Sequence, residues 1–193
     1  MRMFLYFLPL LYFLFISCST EKRSQTFEEE EMEELHTIGD SLANKAQLVL
    51  LKKLTSAIEK NGTAYAISFC NTKAIALNDS LSDAYQVKIS RITDQPRNID
   101  NLIHSYLDKQ MYESFRDNPK LYDTITQNNH TYVYYKRINM ALPTCIRCHG
   151  VVGEDIHHST QKTLRTYYPQ DQATGYKLND YRALWKIEFE KKF

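Results

Sequence analysis

Five consecutive residues, Cys145-Ile146-Arg147-Cys148-His149, constrain this chain more than any other stretch. C-x-x-C-H is the attachment pattern of a c-type haem. Two thiols at this spacing reach both vinyl groups of a porphyrin from one turn of chain. The adjoining histidine is then held under the ring as the proximal iron ligand. Two other uses of the thiol pair stay open. The pair would serve as half of a structural zinc site, closed by Cys70 and a distant histidine, or as a redox dithiol. Zinc sites usually bring a second ligand pair at its own short spacing, and the chain has no second C-x-x-C. A thioredoxin-like dithiol sits where a strand opens a long helix in a βαβ unit. Here the motif follows Leu142-Pro143-Thr144, after a single strand-like run.

Covalent haem attachment requires export, and the N-terminus bears on that independently. Met1-Arg2 precedes an almost wholly apolar run from Met3 to Ile16, which breaks at Ser17-Cys18-Ser19-Thr20. A positive start, a short apolar stretch and a small residue at the break describe a signal peptide over residues 1–17. The run is short for a membrane span, which needs about 20 residues. Ser17-Cys18 resembles a bacterial lipoprotein processing site, with Cys18 as the lipidated first residue and residues 18–26 as lipidated terminus and tether. Several acyl chains would hold the protein to a membrane. An ordinary signal peptide with an incidental cysteine is the alternative. The expected location is the periplasmic side of a bacterial cell membrane.

The remainder, residues 27–193, is of a size for one domain. A formal net charge of +1 indicates neither a nucleic-acid footprint nor a polyanionic partner. Thr26 and Glu29 fit a capping box opening a helix that runs to about Lys60, with Leu35, Ile38, Leu42, Ala46 and Val49 as its apolar stripe. Asn61-Gly62 ends it. A second helix is expected over residues 63–79, with Ile67, Cys70, Ala74 and Leu77 on one face. Residues 85–93 alternate as a strand stopped by Gln95-Pro96. Residues 105–118 read as helix, 131–139 as strand, and 181–193 as a segment returning to the sheet. Helices first and strands later make the class α+β, with an antiparallel sheet.

His149 fills one axial position, and the sixth ligand decides the chemistry. The candidates are Cys70, Met111, Met140, His36, His104, His130, His157 and His158. By spacing alone, Cys70 reads as a core cysteine on a buried helix face.

Four stretches carry a family resemblance: Ala66-Ile67-Ser68-Phe69-Cys70-Asn71; Ser90-Arg91-Ile92-Thr93 through Pro96-Arg97-Asn98; Pro143 through Gly150; and Tyr168-Pro169-Gln170-Asp171-Gln172-Ala173-Thr174-Gly175-Tyr176. Together they resemble a family of exported, PAS-like, single c-haem domains long filed as a domain of unknown function. The resemblance implies helices packed on a PAS-like antiparallel sheet, a haem attachment loop, and His149 with Cys70 as the axial pair. Ile99 stands where the family often has proline, and Asn179-Asp180 where it usually has Gly-Asp. Arg91 and Arg97 are candidates to pair with the haem propionates, since arginine matches carboxylates in a bidentate manner. Surface arginines near a turn are the alternative. Asp171 is expected to cap a turn in a loop over the haem.

The expected function is a membrane-tethered c-type haem protein, sensing redox state or a small ligand through His/Cys-ligated iron. An unidentified partner protein would read the change. A monohaem electron-transfer cytochrome of the cell envelope is the alternative. No motif announces the distal acid–base group that a peroxidase-like enzyme would need, so the expectation is a non-enzyme.

Overall fold

The computed structural model describes residues 17–128 and 131–191, with side chains from residue 28 onward except 72–78. The leader up to residue 16 and the side chain of Cys18 lie outside the described residues. Among the described residues no helix is long and apolar enough to cross a membrane. The chain divides into two units, residues 1–34 and residues 35–193. The described part of the first is helix. Residues 18–26, expected as the tether, are helical. They contain neither Gly nor Pro to stop a helix running upstream of the acidic run.

Helix α1 spans Ser17–Tyr85 and is broken where expected, at Asn61-Gly62. Gly62 has a φ of 77°, a left-handed conformation that a side chain would disfavour. The two arms fold back so that Lys45 on the first meets Tyr85 on the second, hydrogen-bonding its hydroxyl and lying 4.7 Å from the ring centroid. The second arm runs further than expected, to Tyr85, and Gln86 at a φ of 52° turns the chain out of it. Strand β1 (Lys88–Ile92) follows, then a short 3-10 turn (Ile99–Asn101) and α2 (Tyr106–Asp117), capped by Ser105. The rest is β2 (Asp123–Gln127), β3 (Thr131–Asn139), α3 (Pro143–His149), α4 (His158–Tyr167) and β4 (Tyr181–Glu190).

The four strands form one antiparallel sheet in the order β1-β4-β3-β2. The last strand thus lies inside the sheet, with Arg91 opposite Trp185 on one side and Tyr134 opposite Ile187 on the other. Both faces are covered, which is why Tyr132, Val133, Tyr134 and Tyr135 are buried in unbroken sequence rather than alternately. On one face Tyr112 and Phe115 of α2 pack with Ile92, Val133, Tyr135 and Leu184. The first arm of α1 covers the other. Its contact stripe is made of small residues: Gly39 lies so close that a Cβ would sit 2.5 Å from Cγ of Tyr134, and Ala43 and Ala46 are fully buried. Ile38, expected in the stripe, is 39% exposed because the helix rolls toward those small residues. Gln47 of this arm accepts a 2.9 Å hydrogen bond from Trp185 Nε1.

Candidate functional site

A cavity of about 200 Å³ opens on the α1 side of the sheet. The first arm of α1 supplies an apolar wall from Leu50, Leu54 and Ile58, and the second arm adds Ile67 and Cys70. Opposite chemistry comes from the sheet and the segment after β1, which contribute Arg91, Thr93, Arg97, Asn98, Asn139 and Arg182. Cys145, Cys148 and His149 enter from α3.

The thiol motif lies on a helix rather than in a loop. Pro143 opens α3 at a position where its missing N–H costs nothing. Three and four residues on, the turn brings Cys145, Cys148 and His149 to the cavity. Gly150 ends α3 in space that only glycine fits. A Cβ there would lie 2.5 Å from both Asp155 Oδ2 and Ile146 Cγ2. The backbone then pairs with the Tyr168–Tyr176 loop, Gly175 N donating to Gly150 O at 2.8 Å and Tyr176 N to His149 O at 2.9 Å.

His149 is held from behind. Its Nδ1 is 2.7 Å from the carbonyl of Ala173, a contact that requires the Nδ1–H tautomer and leaves Nε2 unprotonated, an acceptor facing Arg97 Nη1. Burial, with Arg97 and Arg182 close by, pushes its pKa well below the usual imidazole value. The half-buried ring borders the cavity, neutral and with Nε2 available as a ligand. A carbonyl fixing the second nitrogen is the usual support of a metal-ligating histidine.

Arg97 and Asp171 form the brace of this arrangement, with only 12% and 10% of their side chains exposed. Arg97 Nε donates to Asp171 Oδ2 at 3.2 Å, and Nη2 donates to Cys148 O at 2.5 Å and Ala173 O at 3.2 Å. Its remaining nitrogen, Nη1, stands 3.5 Å from His149 Nε2. Asp171 Oδ1 accepts from Ala173 N at 2.9 Å, the turn cap expected of it. Its ion pair with Arg97, 74 residues away in sequence, carries no local signal.

Of the candidate sixth ligands, Cys70 and Met140 line the cavity. Met140 packs with Ala173 and Tyr176, the residues around His149. Cys70 comes from α1, and burial raises its thiol pKa while Arg91 and Arg97 oppose that. Met111 belongs to the α2 face, His36 bonds Asp123, His104 and His158 are exposed, and His157 caps α4. His130 lies outside the described residues. For the zinc alternative, no group of three or more His, Cys, Asp or Glu among the described residues is placed to hold a metal ion. The dithiol alternative lacks its βαβ setting, since the sheet is antiparallel.

Arg91 lies against Trp185, its guanidinium carbon 5.6 Å from the ring centroid. Its Nε is buried with no hydrogen-bond partner, as is Oδ1 of Asn139. Arg182, which the sequence did not single out, donates to Thr93 Oγ1 at 2.9 Å. Thr93 Oγ1 in turn donates to Arg182 O at 3.0 Å. Both departures from the resembled pattern are accommodated. Ile99 begins the 3-10 turn, and Asn179 takes up a φ of 72°, a left-handed conformation that Asn tolerates better than most residues.

The fold is similar to that in the crystal structure of the cyanobacterial heme-protein Tll0287. The TM-score is 0.66 at 18% identity, over 83% of this chain and 96% of that one. No curated protein matches the sequence. A family model matches residues 19–189, nearly all of the described chain, and the protein belongs to the Tll0287-like family.

Proposed function

We propose that this protein carries one covalent c-type haem in the cavity, whose iron His149 and Cys70 would hold, and that it senses redox state or a small ligand. One observation carries the reading: two free thiols, an unprotonated imidazole nitrogen and a third thiol border a single cavity. The residues present fit the group. Cys145 and Cys148 would hold it covalently, the α1 wall is apolar, and unpartnered polar atoms of Arg91 and Asn139 border the same space. The haem-protein relative supports the same reading. When bound, the group supplies one-electron iron chemistry.

The chain's own residues do the rest. Ala173 and the Arg97–Asp171 brace keep His149 in one tautomer and one orientation. Arg97 spends Nε and Nη2 on that brace and offers only Nη1 to the cavity. Cys70 rides on α1, a different element from the one that holds His149. Movement of Cys70 on or off the iron would therefore be felt in the helical hairpin, whose altered surface a partner protein would read. Lipid attachment at Cys18 would keep the protein at a membrane facing the periplasm. The role is one of binding and signalling rather than catalysis.

The test is the absorption and electron-spin spectrum of the haem-loaded protein, oxidised and reduced, for wild type and Cys70→Ala. A low-spin, thiolate-type ferric spectrum that becomes high-spin in Cys70→Ala is expected, with altered coordination on reduction of the wild type. A spectrum indifferent to Cys70 would remove it as ligand. Coordination unchanged by reduction would instead favour a simple electron carrier.

A further inference from the structure

Three guanidinium groups, those of Arg91, Arg97 and Arg182, border the cavity. Charges taken out of water must be answered by opposite charge or by hydrogen bonds. Arg97 is answered by Asp171. Arg91 and Arg182 form no ion pair among the described residues. Arg91 makes no hydrogen bond there at all and leaves its buried Nε orphaned. Arg182 has the Thr93 hydroxyl and, 5.3 Å away, the face of Tyr176. Burial lowers the pKa of both arginines, with Arg182 adding to the effect at Arg91 and Arg97 adding to it at Arg182. A chain that leaves two such groups on one cavity wall has left room for anions.

We propose that Arg91 and Arg182 form a carboxylate clamp that takes the propionate groups of the tetrapyrrole, while Arg97 serves as a brace. The clamp rests on the haem reading given above. Its geometry comes from the sheet. Arg91 stands on β1, and Arg182 on the neighbouring strand β4. Thr93 ties the two strands together through its hydroxyl, accepting from Arg182 Nη1 and donating to Arg182 O. Asn139 Oδ1, also orphaned on this wall, is an acceptor and suits a protonated propionate or a bridging water. Arg97 is excluded because Nε and Nη2 already serve Asp171, Cys148 O and Ala173 O. A planar fork matches a carboxylate in two parallel bonds, which an ammonium does not.

The experiment uses the full chain in detergent with its thiols kept reduced. It is titrated with iron mesoporphyrin IX, whose ethyl groups form no thioethers, so that binding stays at equilibrium. The matched probe is the dimethyl ester of the same porphyrin, which lacks both carboxylates. The free acid is expected to bind at least about tenfold more tightly than the diester. Arg91→Gln and Arg182→Gln should lose most of that preference, and Arg91→Lys should keep part of it. The comparison of the two porphyrins on wild-type protein needs no variant to fold. Equal affinity for acid and diester would overturn the clamp while leaving the haem reading intact. Binding of neither porphyrin would overturn both. Recovery of diester affinity in excess acetate would reassign the arginines to a free carboxylate and overturn the propionate assignment.

Discussion

On the α2 face of the sheet Lys186 is half-buried, and the groups around it answer one another. Asp108 accepts from Lys186 at 3.0 Å and from the Tyr135 hydroxyl at 2.7 Å, and its backbone N–H donates to Ser105 Oγ at 3.0 Å. On the cavity face Arg91 and Arg182 are half-buried, and no carboxylate pairs with either among the described residues. The first region closes on itself as the chain folds. In the proposed reading the second is completed by the haem. Removal of charge should therefore have opposite consequences on the two faces.

The largest effect is expected deep in the α2 face. Phe115 is fully buried among Tyr112, Val133, Tyr135 and Leu184. Phe115→Ala should cost about 3–5 kcal/mol in urea unfolding, with or without haem. Asp108→Ala should follow at roughly 3 kcal/mol, because it strands Lys186 with only the more exposed Glu188 at 3.4 Å. Burial alone would raise the Asp108 carboxyl, but bonds from Tyr135, Ser105 and Lys186 outweigh it and hold its pKa below the ordinary 3.8. A depressed folded pKa contributes stability above the unfolded value and loses it as pH falls through the folded one. The urea midpoint should therefore drop below about pH 4, and Asp108→Asn should flatten that drop.

Gly39→Ala comes next. Alanine gains about 1 kcal/mol over glycine inside a helix, but its Cβ would sit 2.5 Å from the Tyr134 ring. Overlap should prevail, for a net loss of about 1–2 kcal/mol. Smallest, and opposite in sign, is Arg91→Met in protein made without haem. Removing an unpaired, half-buried charge should leave stability unchanged or raise it by about 1 kcal/mol. A loss comparable to that of Asp108→Ala would erase the contrast between the two faces.

Local patterns account for what was readable beforehand. The break at Asn61-Gly62, the span of β3 and the helix after Ser105 follow from turn chemistry, β-branched and aromatic runs, and helical periodicity. Strand β2 was missed because Asp123-Thr124-Ile125-Thr126-Gln127 is short, edge-placed and only half-buried. Helix α4 buries only Thr160 and Leu164, too thin a stripe to read. Helix α3 left one usable signal, Pro143 at its first turn. In the site, the attachment motif and Cys70 were legible as residue types. The Arg97–Asp171 brace and the place of Arg182 depend on contacts 74 and 89 residues apart, which no local pattern encodes.

The most direct test of the central claim, that the cavity face is completed by a covalent haem, is the intact mass of the chain produced alongside haem-attachment machinery. The account predicts a gain of one haem in wild type and none in the Cys145→Ala/Cys148→Ala double variant. An unmodified wild-type mass, from cells that load a control cytochrome normally, would contradict it.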